Sequence, residues 1–166
     1  AGLACTLIDN GMPCVVIAAG DVGITGHEDR ETLEADASMK AKVEAIRLEA
    51  GALMNLGDVA DKSVPKMMLV AAPENGGAIA VRSLIPHRVH ASIGVLGAVS
   101  VATACLIEGS PAANVAAVPD GLSKTLGVEH PTGVTECVVT VDEQGAPVEA
   151  GMLRTARKLM DGVIFA

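Results

Sequence analysis

The chain has 166 residues, and its 20 acidic and 12 basic side chains give a formal net charge of −8. Half of the residues are hydrophobic but only one is aromatic, so the core must be built from aliphatic side chains, and intrinsic disorder is excluded. The negative charge and the lack of rings for base stacking argue against nucleic-acid binding.

The chain opens with a predicted hairpin. Residues 3–8 and 13–19 are short apolar runs, and Asn10 and Gly11 lie between them. Asn-Gly between two apolar runs is typical of a tight turn, because both residues tolerate positive φ. Residues 20–35, with three glycines and many charges, are predicted as a surface loop.

An amphipathic helix is predicted over residues 36–56, ending at Gly57. Its apolar positions recur at steps of three and four residues, and charged residues such as Arg47 occupy the other positions. We interpret it as a helix that covers one side of a sheet. Two further strands, at residues 67–72 and 78–85, are joined by a loop rich in glycine and predict a second hairpin.

The most apolar part of the chain, residues 89–107, predicts a helix that is buried on all sides. It is too short to span a bilayer, which takes about 20 mostly apolar residues. Strands are predicted at residues 134–141 and 152–159, with a turn at 145–147, although the second run also fits a helix. Together these elements predict an α+β fold in which an antiparallel sheet curls around one buried central helix.

The distribution of charge marks a candidate anion-binding segment. No acidic residue lies between Glu74 and Glu108, although the chain as a whole is acidic. Two arginines and two histidines lie there: Arg82, His87, Arg88 and His90. They precede or open the predicted buried helix, whose free N-terminal N–H groups favour anions. The backbone donors predicted at this helix start are those of Ser92, Ile93 and Gly94.

Other interpretations of these residues stay open. The arginines can be solvated charges at strand ends, and the histidines can bond nearby carbonyl groups. His87 and His90 have the spacing of a metal-binding pair, but no third ligand accompanies them, so no metal site is predicted. Cys14, at a strand start, can face a cleft or pack in the core. The turn at residues 130–133 suits substrate contact or simply ends a strand.

The four cysteines are irregularly spaced and form no CxxC pair, so neither a zinc ribbon nor a disulfide framework is predicted. We therefore expect reduced thiols and a cytoplasmic location. The sequence also lacks the glycine-rich signatures of nucleophile-elbow hydrolases and nucleotide-binding enzymes.

Six motifs, in order along nearly the whole chain, resemble one enzyme family. They are DNGMPCVV, RLEAG followed by MNLGD, PK, PHRVHA leading into Gly94, HPTG, and RTARKLMDG. Together they look like the second half of the 2-methylaconitate isomerases and 4-oxalomesaconate tautomerases. RLEAG, LGDV and the second histidine, His90, are more similar to the tautomerases, which favours 4-oxalomesaconate as substrate.

The resemblance implies a diaminopimelate-epimerase-like fold, in which two similar lobes enclose the active site. Residues 1–166 then form the C-terminal lobe, the N-terminal lobe is absent, and the start at Ala1 rather than Met is explained. The implied reaction is a 1,3-allylic proton shift in an unsaturated di- or tricarboxylic acid, without cofactor or metal. Its proton-transferring Lys and Cys belong to the missing lobe, and neither Lys66 nor Cys14 is expected to replace them.

The role that the resemblance and the charge pattern imply for this lobe is substrate anchorage. The residues expected to contribute are Asn10, Gly11, Pro13, His87, His90, Ser92, Ile93 and Gly94, with Cys14, Arg82, His130 and Thr132 as additional candidates. Ile93 stands where family members often have Thr, so a hydroxyl donor is missing there. The expected partners are the polycarboxylate substrate and the N-terminal lobe, and a homo-oligomer is compatible with the sequence.

Two alternatives use the same fold. One is a non-catalytic module that binds polycarboxylates or serves in assembly. The other is a racemase or epimerase, which uses one cysteine from each lobe. The predicted helix opening at residues 91–95 has no cysteine, which argues against the second alternative.

Overall fold

A computed structural model describes residues 2–163 and shows one seven-stranded sheet in which the strands follow one another in sequence order. The strands are β1 (Cys5–Asp9), β2 (Pro13–Ala18), β3 (Lys66–Ala71), β4 (Ile79–Leu84), β5 (Ser123–His130), β6 (Gly133–Val141) and β7 (Pro147–Met152). The helices are α1 (Ala19–Val22), α2 (Arg30–Ala35), α3 (Ala37–Leu53) and α4 (Val95–Ala104).

The sheet curls around α4, which contacts β1, β2, β3, β5, β6 and β7. The predicted α+β fold with a buried central helix is therefore confirmed. Two of the pairings, β2 with β3 and β4 with β5, are parallel, and the sheet is mixed where an antiparallel one was expected. Parallel neighbours need long crossover connections. Here one crossover carries α1, α2 and α3, and the other carries α4.

A second layer covers the outer face of the sheet. Alternate residues of β2 and β3 point to opposite sides, so Val16 and Met68 face α4 while Val15 and Met67 belong to the core beneath α3. The amphipathic helix α3 is confirmed. Its N-cap is Asp36, whose side chain accepts a bond from the Met39 N–H, and its helical residues end at Leu53, before the predicted Gly57.

Two predictions in the first two-thirds of the chain are corrected. Residues 20–35 are not simply a loop, because they include most of α1 and all of α2. The Asp29 side chain caps α2 by accepting a bond of 2.7 Å from the Thr32 N–H. The buried helix begins at Val95 rather than near residue 89, because the chain first pairs Leu84 with Val89 as an isolated bridge.

The last third of the chain differs most from expectation. β5 was not predicted, because its mixture of charged residues with Gly127 masks the alternation of a strand. β6 is confirmed, and the turn before Pro147 is present, with Gly145 at a φ of 83°. The last strand is Pro147–Met152 rather than residues 152–159, and residues 153–163 form neither helix nor strand. Among residues 2–163, no helix has both the length and the hydropathy needed to cross a membrane.

Candidate functional site

A pocket of about 210 Å³ opens at the amino end of α4. It is bordered by the hairpin between β1 and β2, by the ends of β3 and β4, and by the segment that leads into α4. The residues that line it are Met12, Lys66, Met68, Ser83, Ile85, His90, Gly94, Val95, Leu96 and Gly97. Of the predicted site residues, the pocket lining thus includes His90 and Gly94.

The first turn of α4 supplies backbone donors to this pocket. Gly94 is the N-cap and offers no capping side chain. The first helical bond runs from the Ala98 N–H to the Gly94 carbonyl at 2.9 Å, which leaves the N–H groups of Val95, Leu96 and Gly97 without a helical acceptor. These groups carry the positive end of the helix dipole and favour an anion. The donors thus lie after Gly94, not at residues 92–94 as predicted.

Gly97 also determines how closely α4 approaches the sheet. A Cβ atom added at this position would lie 2.7 Å from the Met68 methyl group. Met68 lies on the α4 face of β3 and lines the same pocket. The glycine therefore leaves room for the Met68 side chain between helix and strand.

Lys66, the first residue of β3, lines this pocket and was not among the residues predicted to bind substrate. It lies on the same face as Met68 and pairs in register with Cys14. Burial lowers the pKa of its ammonium group, because desolvation disfavours the charged form. Ser83 was also missed. It pairs with Met68 across β3 and β4, and it is 2% exposed. The alternation along a strand shows which face each residue lies on. Whether Lys66 and Ser83 line the same pocket depends on the pairing register of the strands, which the sequence does not show.

His90 is held by two backbone contacts. Its N–H donates to the Ser83 carbonyl at 2.8 Å, and its Nδ1 atom accepts a bond of 2.9 Å from the Ser92 N–H. Because Nδ1 is an acceptor here, the neutral ring carries its proton on Nε2. The Ser92 N–H is therefore already hydrogen-bonded and is not the free donor that was predicted.

Ser92, His130 and Thr132 come together beside this segment, outside the pocket lining. The His130 Nδ1 atom lies 3.3 Å from the Ser92 hydroxyl and 3.2 Å from the Thr132 hydroxyl, and Nε2 lies 3.1 Å from the hydroxyl of Thr135. Burial, and then the positive charge of Arg82 and that of His90 in its protonated form, lower the pKa of His130. We interpret this cluster as support for the His90 segment.

Three predicted residues lie away from the pocket. His87 is exposed, and its Nδ1 atom is 3.5 Å from a Glu44 carboxylate oxygen on α3. Arg82 points to the opposite face of β4 from Ser83 and donates to the Glu28 carbonyl at 2.7 Å. Ile93 is a core residue, 8% exposed, so its side chain packs instead of reaching a ligand.

The hairpin residues have mainly structural contacts. The Asn10 side-chain amide donates to the Thr103 hydroxyl at 3.0 Å, which fixes the hairpin to α4. Gly11, at a φ of 87°, lies next to the Leu96 side chain. Pro13 begins β2 at the base of the turn.

Cys14 is completely buried against α4, so the packing interpretation holds and the cleft interpretation does not. Burial raises the pKa of its thiol to about 11, and the Ser100 hydroxyl opposes only part of that shift. Across residues 2–163, no three side chains of His, Cys, Asp or Glu are grouped as a metal ion would require.

Comparison with known proteins gives one family and several relatives. The family described as PrpF protein matches residues 1–166. The chain is 71% identical over 164 residues to a (4E)-oxalomesaconate Delta-isomerase from Novosphingobium sp., covering 99% of this chain and 46% of that protein. It is 55% identical to a 4-oxalomesaconate tautomerase from Pseudomonas putida, covering 98% of this chain and 45% of that protein. The chain therefore spans about half the length of the curated relatives it matches.

A solved structure has the same fold. The crystal structure of a methylitaconate-delta-isomerase superposes with a TM-score of 0.79 at 21% sequence identity, covering 97% of this chain and 49% of that one. At that level of identity the similarity concerns the fold alone. It agrees with a curled sheet around a central helix.

Proposed function

This chain belongs to the PrpF family, and we propose that it is the C-terminal half of an isomerase that shifts a C=C bond in an unsaturated polycarboxylic acid. The favoured substrate is 4-oxalomesaconate. The reaction is a 1,3-allylic proton shift: a proton leaves one end of the allyl system, a dienolate forms, and a proton is added at the other end. It needs a base, an acid, and fixed positive potential for the carboxylates and the dienolate.

The observation that carries this proposal is the identity of 71% over 99% of the chain to a protein named for oxalomesaconate isomerisation. The second relative, at 55%, is named for the same acid. The geometry is compatible with the assignment, because the pocket at α4 presents N–H donors and an ammonium group, and none of the acidic residues within 2–163 lines it. These groups favour an anionic substrate.

The proton-transferring groups are proposed to lie in an N-terminal lobe that completes the site. Cys14, Cys105 and Cys137 are buried, and burial raises the pKa values of their thiols to about 11, 12 and 11. Such thiols are poor proton carriers near neutral pH. The match to only about half of each relative supports this division of labour. All four cysteines are unpaired, which suits the proposed cytoplasmic location.

The test compares two proteins: this chain alone, and the chain joined to its N-terminal half. Each is incubated with 4-oxalomesaconate, and the change in ultraviolet absorbance follows the shift of the conjugated double bond. We expect turnover only from the longer protein. Turnover by the isolated chain would contradict the division between lobes, and an inactive longer protein would contradict the proposed reaction.

A further inference from the structure

We propose that Lys66 and Ser83 bind one carboxylate group of the substrate at the amino end of α4. This inference rests on the proposed function for the class of ligand, an unsaturated polycarboxylic acid. The resemblance and the charge pattern pointed to residues 10–13 and 87–94 for this role. The pocket instead places an ammonium group and a hydroxyl group from two neighbouring strands beside the first turn of the helix.

Lys66 differs from every other lysine in residues 2–163. The ammonium groups of Lys40 and Lys158 contact carboxylates. Those of Lys42, Lys62 and Lys124 donate to backbone carbonyl oxygens. Lys66 has neither kind of partner within the described part of the chain, although it is half-buried. Partial burial disfavours the charged form of this ammonium group, and a bound anion would offset that effect.

Ser83 gives an independent indication of a ligand. Ser83 is 2% exposed and lines the pocket. Its hydroxyl makes no hydrogen bond to any of residues 2–163. Among residues 2–163 only the Ser100 hydroxyl is enclosed without a partner, so the Ser83 hydroxyl opens onto the pocket and is free to donate into it. A carboxylate oxygen is an acceptor that this hydroxyl can satisfy, and charge-assisted bonds of this kind are among the stronger ones.

The composition of the pocket favours a carboxylic acid with a carbon skeleton. The polar groups include the Lys66 ammonium, the Ser83 hydroxyl and the free N–H groups of α4, all of which can donate. The remaining lining includes the apolar side chains of Met12, Met68, Ile85 and Leu96. A carboxylate can meet the donors while its carbon chain lies against the apolar side chains. A small inorganic anion would use only the polar part.

The test uses the longer protein and tricarballylate, a saturated tricarboxylate that has no double bond to move. Calorimetry gives its dissociation constant for the unmodified protein and for Lys66→Met, Lys66→Arg, Ser83→Ala and Lys42→Met. Lys42 is the matched control, because it is exposed on α3 and its substitution removes the same charge. We expect about 10- to 100-fold weaker binding for Lys66→Met and about 3- to 10-fold for Ser83→Ala, from the usual strength of hydrogen bonds to charged groups.

Lys66→Arg keeps the charge and should recover part of the affinity, whereas Lys42→Met should stay within about twofold of the unmodified protein. Thermal unfolding of the free protein separates binding from folding. Lys66→Met should unfold at the same or a higher temperature, because it removes a desolvated charge. A Lys66→Met protein that unfolds earlier, with Lys66→Arg equally weak in binding, would indicate a structural role and overturn the proposal.

The remaining outcomes test the site, the class of ligand and the proposed reaction. Equal affinity of Lys66→Met and Lys42→Met would overturn the site, as would the absence of tricarballylate binding to the unmodified protein. Tighter binding of inorganic phosphate than of tricarballylate would overturn the ligand class. If tricarballylate binding depends on Lys66 but 4-oxalomesaconate is not isomerised, the proposed reaction fails and the carboxylate site stands.

Discussion

The Nδ1 atom of His90 accepts a hydrogen bond of 2.9 Å from the N–H of Ser92, two residues further along the chain. This contact fixes the orientation of the ring at the pocket and leaves Nε2 to carry the proton of the neutral imidazole. His87, three residues earlier in the chain, has a different environment: it contacts Glu44 on the outer layer.

The two histidines should therefore respond differently to the same substitution. In the longer protein, His90→Gln should lower kcat/KM for 4-oxalomesaconate by about tenfold or more, because Gln keeps a donor but lacks the Nδ1 acceptor through which the Ser92 N–H fixes its position. His87→Gln should change it by less than about twofold. Steady-state kinetics measures both, and an equal loss in the two variants would refute this separation of roles.

The buried thiols should resist alkylation in the folded chain. A pKa of about 11 for Cys14 and Cys137 leaves on the order of one thiol in a thousand ionised at pH 8. Cys105, with a pKa of about 12, should react even more slowly, whereas Cys5 is half-buried and more accessible. Mass spectrometry after iodoacetamide treatment should show modification at Cys5 first.

Labelling should accelerate as pH rises, because the thiolate is the reactive form. Denaturation in urea should make all four cysteines reactive, which controls for the reagent. Rapid alkylation of native Cys14 at pH 7 would contradict its burial and would favour a thiol mechanism in this lobe.

Arg47 should be among the most destabilising residues to replace. Its guanidinium is completely buried and donates to the Glu44 carboxylate at 2.7 Å and to the carbonyl groups of Val59 and Val64 at 2.9 and 2.7 Å. Arg47→Met should lower the free energy of unfolding by about 3 kcal/mol, because Glu44 and these carbonyls lose their donor.

Urea denaturation monitored by far-ultraviolet circular dichroism measures the Arg47→Met effect. Arg88→Met is the matched control, because Arg88 is exposed and its side chain has no hydrogen bond within the described residues. The control should differ from the unmodified chain by less than about 0.5 kcal/mol. Equal stability of Arg47→Met and Arg88→Met would show that the buried contacts do not stabilise the fold.

Glu129 should make part of the stability depend on pH. Burial opposes its ionisation, but the N–H groups of Glu74, Gly77 and Asn75 outweigh burial and lower its pKa below the ordinary value of 4.5. A carboxylate with a lowered pKa in the fold stabilises above its unfolded pKa and loses that contribution as pH falls through the folded pKa.

Glu129→Gln should therefore lower the free energy of unfolding at pH 7 by about 1–3 kcal/mol, with a difference that shrinks below about pH 4.5. Thermal unfolding at several pH values measures this change. Glu136→Gln, at an exposed position of β6, is the control and should show no such dependence. A pH-independent difference for Glu129→Gln would refute the charged interaction.

Local features of this fold could be predicted from the sequence, and features that depend on pairing could not. Asn10 and Gly11 define the first hairpin by their own conformational freedom, and the spacing of Met39, Val43 and Ile46 is enough to define α3. That Lys66 and Ser83 line one pocket depends on how β3 pairs with β4, which no local pattern encodes.

The charge pattern indicated a segment that borders the pocket at α4, but not the N–H groups that are free there. It placed the candidate site in the acid-free stretch around His90 and Gly94, both of which line the pocket. It did not show that the bridge from Leu84 to Val89 delays the helix start, which transfers the free N–H groups to later residues.

Gly97 has a consequence for which molecules can enter. A methyl group at this position would meet the flexible end of Met68, which can move aside at little cost to the fold. Met68 also lines the pocket that contains Lys66, so a side chain at position 97 would change the wall of that pocket. The missing side chain therefore matters more for the shape of the pocket than for the packing of the helix on the sheet.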